Sequence, residues 1–281
     1  MNPDTSENDA TFYYYESDYP SATLGRYPEN FDAITKFQGI AHDVARYEEI
    51  ASRGASSILE LCCGSGRVAI PLARRGYPVV AVDIAGPMLA RFKQHLAIEP
   101  HDVSERIELV QADVTSLSLN RSFDVVLCAF NSLLLMPELE AQLSVLKVAR
   151  AHLARTGTFA LDVVNPLALK IEGNPVPTPF FTRRNPQTGN MYTRFAMSGP
   201  FDAEHRQRMF GYYDELDANG IVHRRPYSFV WRPLFRFELE LMLRSAGLSI
   251  ATLEAGHQHE PFASALSPRM FIEARHTDER G

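Results

Sequence analysis

The stretch Ile58-Leu59-Glu60-Leu61-Cys62-Cys63-Gly64-Ser65-Gly66-Arg67 has the residue types of a ligand-binding turn. Small residues between a strand and a helix let a ligand touch the backbone, and the helix N-terminus offers unpaired N–H groups. Asp83 closes the next strand, where a carboxylate accepts hydrogen bonds from both ribose hydroxyls. Gly64-x-Gly66-x-x-Ala69 also fits a dinucleotide fingerprint with Ala last, but two acids oppose a pyrophosphate. Glu60 lies in the strand beside the turn, where it would repel phosphate and suit a cation. Asp113, in Gln111-Ala112-Asp113-Val114, follows the third strand, within reach of an adenine amino group. A nucleoside ligand with positive charge and no phosphate satisfies both acids. S-adenosylmethionine (SAM), with its sulfonium and α-ammonium, is such a ligand. The plainer alternative is a glycine turn with an aspartate helix cap, since short glycine patterns recur by chance.

The elements that must hold these residues alternate. The 281-residue chain is 45% hydrophobic and 22% charged, an ordinary globular balance. Strands are predicted at 57–62, 78–82, 106–111, 123–130 and 158–164, with helices ending near 53, 75, 96 and 154. This pattern predicts an α/β fold with a doubly wound, mostly parallel seven-stranded Rossmann-like sheet. Strand-like alternation across 190–232 predicts an antiparallel β insert, with Asn219-Gly220 read as a type I′ hairpin turn. A helix at 235–246 and strands at 248–254 and 269–275 then return to the core. The expected division is an N-terminal lid and helix (1–53), a ligand-binding core (54–170), a substrate or dimer insert (171–234) and the rest of the core sheet (235–276).

These residues together resemble the class I SAM-dependent methyltransferases. The resemblance rests on Glu-Leu-Cys-Cys-Gly-Ser-Gly-Arg, Val80-Ala81-Val82-Asp83-Ile84 with Met88-Leu89, Gln111-Ala112-Asp113-Val114, and Phe123-Asp124-Val125-Val126-Leu127. It covers about 40 to 165, and the later strands extend it. It implies that Glu60, Cys62, Gly64 and Gly66 wrap the methionine part of SAM and that Asp83 holds the ribose. Ile84 and Met88 would sandwich the adenine, with Asp113 and Val114 on its edge, and Ala129 and Phe130 would border the methionine. Cys62 departs from the family pattern, standing where many members have glycine. The tail, with Arg236-Phe237, Ala246-Gly247-Leu248 and Pro261-Phe262, is similar to bacterial small-molecule methyltransferases. Those include amino-sugar N-methyltransferases and relatives of glycine N-methyltransferase. The similarity implies a small acceptor, more readily a nitrogen than an oxygen, S-adenosylhomocysteine as product, and a possible homodimer.

Methyl transfer from an activated carbon needs alignment and exclusion of water more than it needs a base. Asn131, just after the fourth strand, is a candidate to contact the acceptor, or else a loop cap. Residues 1–28 carry five tyrosines among acids, Pro and Gly, too irregular for a core helix. Tyr27, with Tyr19, is the candidate to close over the methyl group, the alternative being that these rings only staple the segment down. Asp162 and Asn165 bind an amine or cap a turn; Arg194, Arg208 and Arg232 hold an acidic acceptor or are solvated. His257-Gln258-His259 lacks a third ligand nearby, so no metal is expected. The net charge is −6, with five acids and no Lys or Arg before residue 26, and the remainder shows no basic stripe. A nucleic-acid partner is therefore not expected. The lack of a long apolar run, and three cysteines without disulfide spacing, predict a cytoplasmic protein with no membrane partner. Two rival functions keep the same site: an enzyme that cyclises SAM and releases methylthioadenosine, and a non-catalytic SAM-binding protein.

Overall fold

The structure, a computed structural model, describes residues 10–19 and 42–277. Five strands, β1 (Ile58–Leu61), β2 (Val79–Asp83), β3 (Ile107–Gln111), β4 (Phe123–Cys128) and β5 (Leu153–Val164), lie parallel in one sheet. A separate four-stranded antiparallel sheet follows, made of β6 (Asn174–Arg184), β7 (Met191–Phe201), β8 (Gln207–Leu216) and β9 (Val222–Trp231). The chain then returns to the first sheet with β10 (Leu248–Glu254) and β11 (Arg269–His276). The seven-stranded order is β10-β11-β5-β4-β1-β2-β3, and β11 alone runs opposite to the other six strands.

Both faces of β1 and β2 are buried, which is why their sequences are almost continuously apolar. Leu59 and Leu61 pack toward Val145, Leu146, Leu239 and Leu243 of the helices Leu139–His152 and Arg236–Ser245. Ile58 faces the opposite layer, with Tyr47, Ile70 and Phe92 from the helices Asp43–Ser52, Ala69–Arg74 and Gly86–Leu96. From β1 the chain steps outward through β2 and β3, then crosses back to β4 on the other side of β1. At that reversal the connections leave on opposite faces, so a crevice opens at the C-terminal ends of β1 and β4. Among the described residues, no helix is long and apolar enough to cross a membrane.

Three expectations are corrected. The antiparallel sheet begins at Asn174, well before residue 190, because β6 is an edge strand that tolerates Pro175, Pro177 and Pro179. Those prolines hid it from pattern reading. The β8–β9 connection is not a type I′ turn. Gly220 has φ 80° and its amide donates to the Asp217 carbonyl at 3.1 Å, while Asn219 is not in the left-handed region. The Asp217 carboxylate accepts from the Asn219 and Ile221 amides at 2.8 and 2.9 Å and organises the wider loop instead.

The third correction is the N-terminal segment, which contains a regular helix, Ala10–Asp18. Its side chains divide at helical spacing. Phe12 and Tyr15 pack on Ala85 and Met88 of the large sheet's helical layer, whereas Ala10 and Tyr14 enter the antiparallel sheet among Tyr192, Tyr213 and Tyr227. Asp18 is buried there. It accepts from Tyr192 OH at 2.8 Å, Tyr213 OH at 2.6 Å and Arg194 Nη1 at 3.0 Å. The Tyr14 hydroxyl donates to Glu215 at 2.7 Å. Asp18→Ala would leave the Arg194 guanidinium buried without its anion, at a cost of about 3–5 kcal/mol. Urea unfolding should show that loss, and Tyr192→Phe a smaller one of about 1 kcal/mol. An unchanged midpoint for Asp18→Ala would mean that this carboxylate does not hold the helix.

Candidate active site

The floor of the crevice is the turn after β1. Cys62, Gly64 and Gly66 have φ of 60°, 57° and 92°. The left-handed geometry accounts for glycine being the expected residue at Cys62, and the Cys63 amide anchors the turn by donating to the Val82 carbonyl at 2.9 Å. At Gly66 a Cβ would lie 2.4 Å from Phe92, so the helix Gly86–Leu96 presses directly against the turn. Asp83 joins the two connections. Its Oδ2 accepts from the Gly64 amide and its Oδ1 from the Ala85 amide, each at 2.8 Å. Burial pushes its pKa up, opposed by these amide bonds.

Glu60 points into the same region from β1 and is 2% exposed. Its Oε2 has no hydrogen-bond partner among the described residues. Burial, reinforced by the nearby Asp83 and opposed by Arg67, pushes its pKa up to about 8. Such a carboxylate is set to be ionised by an incoming cation and to resist an anion.

Around this floor the structure places the other sequence-predicted residues at neighbouring strand ends and, for Met88, on the helix Gly86–Leu96. Met88 is buried, and its Cε would be 3.3 Å from a Cβ at Gly64, while Ile84 is half-buried just beyond Asp83. Val114 is buried, whereas Asp113 is exposed and uses Oδ1 to accept from the Thr115 amide at 2.8 Å and hydroxyl at 2.7 Å. Ala129 and Phe130 follow β4. Tyr27 lies outside the described residues. Tyr19 is brought to the crevice, its ring 5.1 Å from that of Phe130, and Tyr15 stands 5.2 Å from Tyr19. The Tyr15 hydroxyl oxygen would be 3.6 Å from a Cβ at Gly64. Tyr15, Tyr19 and Phe130 therefore form an aromatic row from the turn to the end of β4. Tyr15 was not singled out in the sequence; its i, i+4 relation to Tyr19 was the available signal.

Other polar candidates are engaged elsewhere. Asn131 Oδ1 accepts from the Val164 amide at 2.7 Å and from Arg269 at 3.3 Å. Asp162 is buried against Arg269 and Tyr47, and their charge and hydrogen bonds, with those of His257, hold its pKa well below the usual carboxylate range against the opposing effect of burial. Asn165 caps a loop, donating to the Ser264 and Ser267 carbonyls at 2.7 and 2.8 Å. Arg194 and Arg232 are buried, not solvated. Arg232 donates to Gln142 at 2.9 Å and to the Glu204 carbonyl at 3.0 Å, docking the end of β9 on the core. His257 and His259 lie in bends beyond β10, the first buried beside Asp162 and the second exposed with Glu49 and Glu254.

Gly66→Ala should cost about 2–4 kcal/mol, combining a left-handed φ with the Phe92 overlap. Phe92→Ala should relieve the overlap part when combined with it. A Gly66→Ala protein with wild-type stability in denaturant would mean that the turn is not pressed as described.

Residues 58–157, which include β1 to β4 and the turn, match the family described as "Methyltransferase domain". The cypemycin N-terminal methyltransferase of a Streptomyces species is 24% identical over 216 residues, 77% of this chain and 81% of that protein. Among solved structures, the CcbJ methyltransferase from Streptomyces caelestis superposes with a TM-score of 0.75 at 24% identity, covering 99% of this chain and 100% of that one. SAM-bound CalS10, an amino pentose methyltransferase from Micromonospora echinaspora, gives 0.68 at 21% identity over 93% and 96% of the two chains. Residues 58–157 thus match a methyltransferase domain on the strands that build the crevice, and the fold around it is shared with solved SAM-dependent methyltransferases.

Proposed function

We propose that the chain is a class I SAM-dependent methyltransferase acting on a nitrogen of a small-molecule acceptor. The observation that carries the cofactor geometry is the buried Oε2 of Glu60, without a hydrogen-bond partner among the described residues, beside a turn of small residues. It suits the α-ammonium of SAM, so the residues fit this group. Cys62 to Gly66 would follow the methionine part with their backbone, and the Asp83 oxygens, each using one lone pair on an amide, would take the ribose hydroxyls. Ile84 and Met88 would flank the adenine, with Val114 and Asp113 at its edge. When bound, SAM supplies a methyl group already activated by its sulfonium.

The chain's own task is then to orient the acceptor and exclude water. Tyr15, Tyr19 and Phe130 present electron-rich rings toward the place where positive charge is carried, and the Ala10–Asp18 helix holds the first two in position. Asp162 and the Asn131 side-chain oxygen, beside Phe130, are committed to Arg269 and the Val164 amide. That favours an acceptor needing no base, which a neutral amine is and a hydroxyl is not. The names of the amino pentose and N-terminal methyltransferases among its relatives agree with that choice. Incubation with SAM and paired amine and alcohol analogues should yield S-adenosylhomocysteine and an N-methyl product by mass and NMR. A product methylated on oxygen, or methylthioadenosine in place of S-adenosylhomocysteine, would overturn this reading.

The pH dependence follows from Glu60. With its pKa at about 8, the ligand-free protein holds this proton at neutral pH, and a bound ammonium must expel it. S-adenosylhomocysteine should therefore bind more tightly as pH rises from about 6 to 7.5, by up to roughly tenfold per unit. In calorimetry at neutral pH, the binding heat should vary with buffer ionisation enthalpy. Glu60→Gln should flatten both dependences. The ligand-free fold has the opposite trend: from the ordinary carboxylate range up to about 8 the unfolded chain has released a proton that the folded chain keeps, so Glu60 makes stability fall as pH rises. A pH-independent affinity would remove Glu60 from the ammonium site.

A further inference from the structure

Phe130 and Asn131 are consecutive non-glycine residues with φ of 52° and 62°. Side-chain-bearing residues take this conformation in succession only when their surroundings impose it. The imposing group is Asp162, at the end of the adjacent strand β5. Its Oδ1 accepts from the Phe130 amide at 2.7 Å, and its main-chain oxygen accepts from the Asn131 amide at 3.0 Å. The Asn131 side-chain oxygen Oδ1 closes the loop by accepting from the Val164 amide at 2.7 Å. Both amides of the strained turn, and one of its side chains, are thus tied to β5.

Asp162 is held in turn. Tyr47 OH donates to Oδ1 at 2.5 Å, Arg269 pairs with Oδ2, and His257 Nε2 lies 3.6 Å from Oδ2. The Arg269 guanidinium also stands 5.8 Å from the centre of the Phe130 ring. A buried ion pair gives little stability beyond what apolar residues of the same volume would give, so stability alone does not account for this cluster. What it provides is one fixed direction for the backbone after β4.

We propose that Asp162 is a positioning residue for methyl transfer, holding the Phe130–Asn131 turn so that the Phe130 ring and the Ala129–Phe130 backbone stand against the methionine part of SAM. This rests on the reading of β4's end as the border of the cofactor. The role requires an acceptor for the Phe130 amide, not merely a filled and neutralised site, and that difference can be tested.

Two double variants remove the ion pair equally: Asp162→Asn with Arg269→Met, and Asp162→Ala with Arg269→Met. Only the first keeps an acceptor for the Phe130 amide. The expected result is that the alanine form binds S-adenosylhomocysteine about tenfold more weakly than the asparagine form, as for loss of one buried hydrogen-bond acceptor. It should also take up deuterium faster across 129–132. Equal affinity and equal exchange in the two folded variants would overturn the proposal, because a purely structural carboxylate predicts the same loss in both. Should either double variant fail to fold, Tyr47→Phe keeps the ion pair and frees one side of the carboxylate. It should raise exchange at 129–132 and weaken binding by about threefold, and no change in either would overturn the proposal. Failure of the wild-type protein to bind S-adenosylhomocysteine would instead overturn the cofactor geometry, leaving the exchange measurement to decide the role of Asp162.

Discussion

The pairing of β1 with β2 on one side and β4 on the other sets the floor of the crevice. Leu61 lies opposite Val82 and opposite Cys128, so three strands end level with one another. Their connections must then leave from one edge within a few ångströms. From that register come the meeting of Asp83 with the Gly64 amide and of the Cys63 amide with Val82. A one-residue slip in a strand buried on both faces would exchange its two sets of side chains between the layers, moving Leu59 and Leu61 into the wrong one and carrying Glu60 out of the site.

Electrostatics within this frame is uneven, and the unevenness is informative. Asp162 has Arg269 and Tyr47 and is held ionised; Asp18 has Arg194 and two tyrosine hydroxyls. Glu60 is as deeply buried and has an oxygen with no partner among the described residues. A buried carboxylate left in this state costs stability, and the arrangement makes sense when a cation completes it. The cost is small beside the apolar burial of the two layers that flank β1.

The N-terminal helix belongs to both sheets. Tyr14 and Asp18 enter the antiparallel sheet, while Phe12 and Tyr15 rest on Met88 and Ala85 beside the turn. Any movement of the antiparallel sheet relative to the core is therefore felt by the aromatic row over the crevice.

The sequence by itself determined the alternating elements and the doubly wound sheet, and it put small residues and carboxylates at the strand ends that meet in the crevice. These depend on local signals: continuous apolar strands, small residues at a turn, and carboxylates at strand ends. Legibility failed where a residue's role is set by a distant partner. Asp162 read as a turn cap or an amine ligand because Tyr47 and Arg269 lie 115 and 107 positions away. Arg194 read as a solvated side chain or a ligand for an acidic acceptor because Asp18, 176 residues earlier, supplies its counter-charge. The helix at Ala10–Asp18 read as irregular because its two apolar faces make sense only between two sheets that the local sequence does not contain. Long-range pairing of buried charge and the sharing of one helix between two layers are properties of the folded chain, so only the tertiary structure decided them.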